Sequence, residues 1–245
     1  MPEVLSQEEI DALLAALSTG QMDVETAKKE ESARKVKQYD FRRPDKFSKD
    51  QIRTLEMLHE NFSRLLSTSL TTYLRVLVDV KLVSVQQMTY DEFIRSLPNP
   101  TVMCTFTLAP LPGEGVLEIN PALALMIVQR LLGGKVQFPE KARELTDIEL
   151  IILKRVILRS LTHFHEAWGN VADVDASLEQ IELNPQFVQI VAPSQMVILV
   201  TLSVKVGDQE GFINICLPDT LLEPVLPKLS AHYWLGSTRQ AVSPE

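Results

Sequence analysis

A buried strand that leads directly into a buried helix is predicted by residues 115–134, GVLEINPALALMIVQRLLGG. Asn120 is suited to cap the start of the helix, and Pro121 follows at the first helical position, where a missing N–H costs nothing. Gly133 lies just past the last apolar residue, as expected at the end of a helix. Because the helix is apolar on nearly every side, it must be buried in a core or against a partner.

The same order of elements occurs twice in the chain. Ser48 with Gln51, and Thr146 with Glu149, have capping-box spacing at the start of a long helix. Each long helix is followed by three strand-like segments and a second helix, which in the second half runs from Asp219 to about Leu229. The strand-like segments are residues 78–88, 101–110 and 115–120 in the first half, and 171–183, 196–206 and 211–218 in the second.

An internal duplication explains this pattern, because corresponding features are separated by nearly constant distances. Ser48 and Thr146 lie 98 residues apart, and Gly115 and Gly211 lie 96 residues apart. Neither half could bury both a helix and one face of a sheet alone. We therefore predict an α/β fold, a pseudo-symmetric α/β/α sandwich of two helix-strand-strand-strand-helix halves, over residues 46–229.

A separate short helix is predicted in residues 1–20. Ser6 and Glu9 have capping-box spacing at its start. The helix then presents one apolar stripe, made of Ile10, Leu13, Leu14 and Leu17. Isolated helices shorter than about 12 to 15 residues are marginal in water, so this one should form mainly on a partner. Residues 21–45 are rich in mixed charge and lack a period, which predicts a flexible linker.

The composition excludes several classes of function. The 245 residues carry a formal net charge of -8, which argues against binding to the phosphate backbone of nucleic acids. No window approaches the ~18 to 20 consecutive apolar residues of a membrane span, and acids stand where a signal peptide would carry Lys or Arg. We therefore expect a cytosolic protein. Cys104 and Cys216 fall inside strand-like runs, which favours core thiols over a disulfide or a metal site.

No catalytic, metal-binding or cofactor-binding residue is predicted. His163 and His165 are two residues apart on a helix, so they face different directions and cannot chelate one metal ion. His59 is expected on the polar side of the first long helix, and His232 lies in the tail. The sequence contains no Gly-rich phosphate-binding loop, no G-x-S-x-G elbow and no C-x-x-C pair.

Five segments together resemble the family of the flagellar motor switch protein FliM, in the expected order. They are LSQEEIDALL at the N-terminus, YDFRRPDKFSKDQIR at 39–53, LEINPALALMIVQRLLGG at 117–134, ELTDIE at 144–149 and IELNPQF at 181–187. The resemblance covers almost the whole chain and implies a CheC-like fold for residues 46–229. It also implies a FliN-like C-terminal domain, so residues 230–245 are expected to begin a linker to a domain that is missing here.

The resemblance implies a switch subunit that controls the direction of flagellar rotation in chemotaxis. Its N-terminal segment would bind phosphorylated CheY, and its middle domain would contact FliG and neighbouring FliM subunits in a ring, with FliN as a further partner. The implied location is cytoplasmic, at the inner face of the cell membrane in the flagellar basal body. The implied CheY-binding residues are Leu5, Ser6, Gln7, Glu8, Glu9, Ile10, Asp11, Leu13 and Leu14, and the implied FliG-binding residues are Leu131, Leu132, Gly133, Gly134 and Lys135.

The Gly133–Gly134 pair admits two interpretations. It could be a helix C-cap followed by a turn, or it could expose backbone for close approach by another protein. The related FliG-binding loop typically reads Gly-Gly-x-Gly, whereas Val136 stands here at the fourth position. Because Val cannot adopt positive φ cheaply, the conformation of this loop is left open.

The alternative hypothesis is an enzyme that dephosphorylates CheY, because the domain also resembles the CheC and CheX phosphatases of CheY. Their signature places an acid or Ser four residues before a Glu, and an Asn three residues after it. Around Glu56 the comparable positions are Ile52 and His59, and around Glu149 they are Leu145 and Ile152. Neither helix has the required Glu and Asn, so no enzyme is predicted. A passive structural ring subunit is the third possibility.

Overall fold

A computed structural model describes residues 46–139 and 143–229 of the chain. The helices are α1 (Lys49–Leu74), α2 (Tyr90–Ser96), α3 (Pro121–Leu131), α4 (Asp147–Trp168) and α5 (Asp219–Leu222), and a 3-10 helix over Glu223–Leu229 continues α5. The strands are β1 (Val78–Thr89), β2 (Val102–Ala109), β3 (Glu114–Ile119), β4 (Asp175–Glu182), β5 (Met196–Val206) and β6 (Gln209–Pro218). A 3-10 turn over Pro185–Phe187 follows β4.

The long helices begin where the sequence predicts, because side chains satisfy their first N–H groups. Ser48 Oγ accepts from the Gln51 N–H while Gln51 Oε1 accepts from the Ser48 N–H, which completes the capping box of α1. Thr146 and Glu149 form the same box at α4. At α3 the Asn120 side chain accepts two backbone N–H groups, with Pro121 at the first helical position.

The six strands of the described residues form one antiparallel sheet in the order β1-β5-β6-β3-β2-β4. The corresponding strands of the two halves are β1 and β4, β2 and β5, and β3 and β6. Exchanging the halves therefore reproduces the same order read from the other end. This symmetry confirms the predicted duplication and places a pseudo-two-fold axis between β3 and β6.

Corresponding residues of the two halves lie 98 positions apart before the β-hairpins and 96 positions apart after them, because the two hairpin turns differ in length. At a shift of 98, Leu55 of α1 corresponds to Leu153 of α4, and both are fully buried. The turn between β2 and β3 has four residues, 110–113, whereas the turn between β5 and β6 has two, 207–208. The shorter turn reduces the shift to 96 in the last strand, so Glu118 corresponds to Asn214, and these two residues face each other across the axis.

Helices cover the two faces of the sheet unequally. On one face, α1, α3, α4 and the α5 region enclose the main core, which includes Phe62, Phe106 and Trp168. Residues 123–128 of α3 are all buried there, as its apolar sequence predicts. On the other face, α2 and the segment that follows β4 bury a smaller cluster around Phe93. The predicted fold class, α/β with two matching halves and a layer on each face, is confirmed.

Three elements differ from the sequence-based expectation. Helix α2 was not predicted, although Thr89 and Glu92 form a capping box at its start. The helix expected from Asp219 to about Leu229 is α-helical only as far as Leu222. Prolines at 224 and 227 lack the N–H that an α-helix needs, so the remainder is a 3-10 helix. Strand β4 is shorter than the predicted 171–183, because the residues before Asp175 pack on the core without pairing.

Candidate protein-binding site

The turn after α3 is closed by two backbone hydrogen bonds. The Gly133 N–H donates to the Arg130 carbonyl at 3.1 Å, and the Gly134 N–H donates to the Gln129 carbonyl at 2.9 Å. Gly133 has φ +91°. This pair of bonds with a left-handed residue is the Schellman motif, which satisfies the free carbonyls at a helix end. The glycine pair is therefore a helix C-cap, and its backbone conformation is fixed before any partner binds.

The five residues that resemble a FliG-binding loop lie in this one turn. Leu131 packs partly on the core, whereas the Leu132 side chain is 66% exposed. Lys135 is also exposed, at the tip of the same turn. An exposed leucine beside a lysine on a fixed turn is an arrangement that a protein partner could bind.

Val136 does not require a special backbone conformation in this turn. In the described ranges, positive φ occurs only at Arg75, Gly113, Gly133 and Gly207, so Val136 has an ordinary negative φ. Its side chain is half-buried against the core. If Gly207 carried a side chain, the Cβ would lie 4.0 Å from Val136 Cγ1. Val136 thus packs on the core, and its side chain lies near the hairpin turn between β5 and β6.

Sequence reasoning missed Arg130, whose guanidinium joins this turn to the end of α1. Nε donates to the Leu74 carbonyl at 3.0 Å, and Nη2 donates to the Arg75 carbonyl at 3.1 Å. Nη1 reaches the Gly134 carbonyl at 3.4 Å. The sequence did contain a signal for Arg130, because it is the one charged residue of residues 121–131 and lies in the last turn of the helix. A cation at that position is typical of a residue that bonds the carbonyls at a helix end.

A cavity of about 290 Å³ opens beside the turn, between α3 and the start of α4. Its wall includes Leu125, Leu132 and Gly134, with Arg143 and Glu149 at the same opening. Arg143 binds Glu149 through two hydrogen bonds, of 2.6 and 2.7 Å. This contact, more than the bonds from Thr146, lowers the pKa of Glu149 to about 2. Glu149 is thus held as an ionised cap of α4.

The prediction that His59 lies on the polar side of α1 is wrong. Its side chain is fully buried, with Nδ1 2.8 Å from the Leu55 carbonyl. Its ring lies edge-on to Phe62, Phe164 and Trp168, with centroids 6.0 to 6.4 Å away. Burial, partly opposed by the bond to Leu55, lowers the pKa of His59 to about 4. Because α1 packs on both the sheet and α4, its buried face is wider than a single stripe.

The other groups considered for chemistry do not converge on one site. The His163 side chain is mostly buried, whereas that of His165 is 54% exposed and lies 3.4 Å from Asp173. Cys104 and Cys216 are free thiols buried on opposite faces of the sheet, and burial raises the pKa of each. Within 46–139 and 143–229, no group of three His, Cys, Asp or Glu side chains could hold a metal ion.

The predicted CheY-binding residues, from Leu5 to Leu14, lie outside the described residues, as does His232. None of the helices described is long and apolar enough to cross a membrane.

Comparison with known proteins decides the family. Residues 48–234 match the sequence model described as flagellar motor switch protein FliM. A relative in Treponema pallidum, described by the same words, is 50% identical across 98% of this chain and 70% of its own length. The chain belongs to the FliM family of flagellar motor switch proteins.

Two solved structures are similar to the domain described above. The FliM middle domain from H. pylori is 37% identical with a TM-score of 0.69, covering 74% of this chain and 99% of that one. A chain of the FliG–FliM complex from H. pylori is 38% identical with a TM-score of 0.72, over 74% of this chain and 99% of that one. The FliM-family fold thus extends over the described part of this chain.

Proposed function

We propose that this FliM-family chain is a scaffold subunit of the flagellar switch and binds FliG through the turn at Leu131–Lys135. The observation that carries the proposal is the exposed Leu132 on a turn whose backbone is already fixed. The similarity to a chain of the H. pylori FliG–FliM complex supports the choice of partner.

The fixed turn favours binding for an energetic reason. Immobilising a loop on association costs free energy, and a turn closed by its own hydrogen bonds has little freedom left to lose. Burying an exposed leucine side chain contributes about 1.5 to 3 kcal/mol. Leu132 is therefore expected to be a principal contributor to the affinity.

A substitution at Leu132 tests this contact without changing the glycine cap. Leu132→Asp places a charge where an apolar side chain is expected to be buried, so the affinity for FliG should fall about tenfold or more. Leu158→Asp is the matched control, because Leu158 is 44% exposed on α4. Isothermal titration calorimetry with purified FliG measures both, and parent-like affinity in Leu132→Asp would exclude the turn from the interface.

We propose further that residues 1–20 bind phosphorylated CheY as an amphipathic helix. The apolar anchors would be Leu5, Ile10, Leu13 and Leu14, with Glu8, Glu9 and Asp11 facing basic groups of the partner. Residues 1–20 contain four acids and no base, which suits such a surface. Binding here and at FliG would let the subunit relay the CheY signal to the rotor and so control rotation direction.

A peptide of residues 1–20 provides the direct test of CheY binding. It is titrated with CheY in the presence and absence of a phosphoryl mimic, and tighter binding to the activated form is expected. A peptide carrying Leu13→Asp and Leu14→Asp serves as the control for the apolar stripe. Equal affinity for both forms of CheY would remove the switching role.

The same proposal places the subunit in a ring with neighbouring copies and FliN, at the cytoplasmic face of the membrane. It assigns no catalytic role, because the positions around Glu56 and Glu149 do not offer the Glu and Asn of the related phosphatases. His59 is buried, and Glu149 is bound to Arg143. Adding the full chain to phosphorylated CheY should leave its spontaneous decay rate unchanged, and an accelerated decay would favour the phosphatase alternative.

A further inference from the structure

Three chain segments meet at the end of the domain that carries the glycine turn. The first is the turn between α1 and β1, residues 75–77, which Arg130 joins to the Gly134 carbonyl. The second is the loop after α3, and the third is the hairpin turn at Gly207, near which the Val136 side chain lies. The Phe138 N–H also donates to Gln209 Oε1 at 3.4 Å. The glycine turn is thus one part of a continuous surface.

The α1–β1 turn depends on Arg130 for its position. Helix α1 has no basic residue in its last turn, so Arg75 at the C-cap is the first cation of its own chain segment at the negative end of the helix dipole. Its C-cap, Arg75, is in the left-handed region at φ 51°, a conformation that is costly for a residue with a Cβ. Arg130 adds a second positive charge beside Arg75 and supplies donors to the Leu74 and Arg75 carbonyls.

The two joined segments present the same chemistry to solvent. Leu77 is 76% exposed and Leu132 is 66% exposed. Arg75 and Lys135 are exposed as well. Residues 74–78 and 129–138 contain no acid, whereas the hairpin beside them carries the exposed acids Asp208 and Glu210. The two turns joined by Arg130 fit a partner that offers an apolar ridge, with carboxylates facing Arg75 and Lys135.

We infer that the α1–β1 turn is a second half of the FliG-docking surface, with Leu77 as its apolar contact and Arg130 as the positioning residue. This inference rests on the proposed binding of FliG at Leu132. One guanidinium bonds to both turns, which makes the surface around Leu77 continuous with the turn that carries Leu132.

The test compares five variants of the full chain by their affinity for purified FliG, and one of them is the Leu132→Asp variant described above. Leu77→Asp should weaken binding about tenfold, as expected for an apolar contact replaced by a charge. Arg130→Met, which keeps the side-chain stem and loses the three hydrogen bonds, should weaken it by a similar factor. Arg130→Lys should behave like Arg130→Met, because an ammonium group cannot bond the three carbonyls in the same fork geometry. Leu158→Asp is the control, expected to bind as the parent does.

A second measurement separates positioning from general stability. Hydrogen exchange of the unbound chain should be faster at residues 76–78 and 133–135 in Arg130→Met, and unchanged there in Leu77→Asp. Parent-like affinity in Arg130→Lys would overturn the positioning role. Parent-like affinity in Leu77→Asp, together with weakened binding in Leu132→Asp, would overturn this inference and leave the proposed function standing. Parent-like affinity in Leu132→Asp would overturn the proposed function itself.

Discussion

At the scale of single residues, His59 shows how a polar group is kept inside a core. Its Nδ1–H has one acceptor, the Leu55 carbonyl, and its Nε2 lies among aromatic rings without a hydrogen-bond partner in the described residues. A neutral imidazole can occupy such a site, but an imidazolium would be an uncompensated buried charge. The site therefore holds the histidine neutral.

The stability of the domain should consequently fall in mild acid because of His59. Its pKa is about 4 in the folded state and 6.5 when unperturbed, so below pH 6.5 protons bind preferentially to the unfolded chain. The free energy of unfolding should lose about 2 kcal/mol by pH 5 and about 3 kcal/mol by pH 4 from this group alone.

Urea unfolding between pH 7 and pH 4.5 measures this effect. His59→Leu removes the titrating group. The difference in the free energy of unfolding between parent and variant should therefore change with pH by the amounts given above. His165→Leu, at a half-exposed position, is the control and should follow the parent. The prediction would be contradicted if the difference in the free energy of unfolding between His59→Leu and the parent stayed constant with pH.

Gly133 is the residue at which backbone conformation matters most. A Cβ there would meet nothing within 4 Å, so only the positive φ of +91° opposes a side chain. Gly133→Ala should therefore lower the free energy of unfolding by about 1 kcal/mol without disturbing packing. Gly134→Ala should cost more, because its Cβ would lie 2.7 Å from Gln129 Cγ and 2.9 Å from the Gln129 carbonyl oxygen.

Gly169, at the end of α4, is the matched position for this comparison. Its φ is -53°, an ordinary helical value, and its Cβ would lie 3.3 Å from the His165 carbonyl oxygen, so Gly169→Ala should cost less than Gly133→Ala, about 0.5 kcal/mol or less. Chemical denaturation of the three glycine variants ranks them by their loss in the free energy of unfolding. A loss in Gly169→Ala equal to that in Gly133→Ala would show that φ is not the cause.

At the scale of elements, strand β1 lies at one edge of the sheet and is partly closed by α1. The Val80 N–H donates to Ser67 Oγ at 2.8 Å, and the Val78 N–H donates to Thr71 Oγ1 at 3.0 Å. These hydroxyls take the place of a seventh strand over the first part of β1. Side chains from a covering helix are one way in which an exposed edge is kept from pairing with another chain.

Removing one of these hydroxyls should expose the edge. Ser67→Ala leaves the Val80 N–H without its acceptor, and a loss of about 1 kcal/mol in the free energy of unfolding is expected. Thr68→Ala is the control, because its hydroxyl bonds only to Arg64 of the same helix. Denaturation measures the loss, and sedimentation velocity should show more self-association for Ser67→Ala than for the control. Identical behaviour of the two variants would mean that the hydroxyl does not protect the edge.

The elements that could be predicted are those fixed by local bonds. Helices α1, α3 and α4 were located because Ser48, Asn120 and Thr146 cap backbone groups within three residues of themselves. Helix α2 was missed although its box at Thr89 is complete, because seven residues are too few to show a helical period. Burial of His59 and the bonds of Arg130 depend on contacts with other elements, which spacing along the chain does not reveal.

At the scale of the whole molecule, the polar pair Glu118 and Asn214 joins the two central strands, β3 and β6, which belong to different halves. Asn214 Nδ2 donates to Glu118 Oε2 at 2.8 Å, and Thr101 Oγ1 lies 2.5 Å from Glu118 Oε1. Glu118 is only 2% exposed, and burial raises the pKa of its carboxyl although both hydrogen bonds oppose the shift. The duplication could be predicted from the sequence, but this pair could not, because strand order is set by long-range packing.

The central pair predicts a pH effect of opposite sign to that of His59. A carboxyl whose pKa is raised by folding stabilises the fold below its unfolded pKa, and this contribution is lost as pH rises toward the folded value. Glu118→Gln should keep both hydrogen bonds, because the Thr101 hydroxyl can donate to the Ile119 carbonyl while accepting from the new amide. The variant should therefore be more stable than the parent at pH 8, and not at pH 4.

Urea unfolding at these two pH values provides the comparison. Glu114→Gln is the control, since Glu114 is a partly exposed residue of the same strand. If Glu118→Gln is destabilised equally at both pH values, ionisation of the buried Glu118 carboxyl does not lower the stability of the parent, and the prediction is wrong.

The strand order has a consequence for how the chain reaches its fold. Each outer strand pairs only with a strand of the other half, so Val78 is joined to Val206, 128 positions away, and Asp175 to Ala109, 66 positions away. Neither half can complete its own sheet, and no stable half-domain is available as a folding intermediate. Contacts so distant along the chain must close large loops before they gain any stability. Folding of this domain should consequently be slow, and it should begin only after most of the second half has left the ribosome.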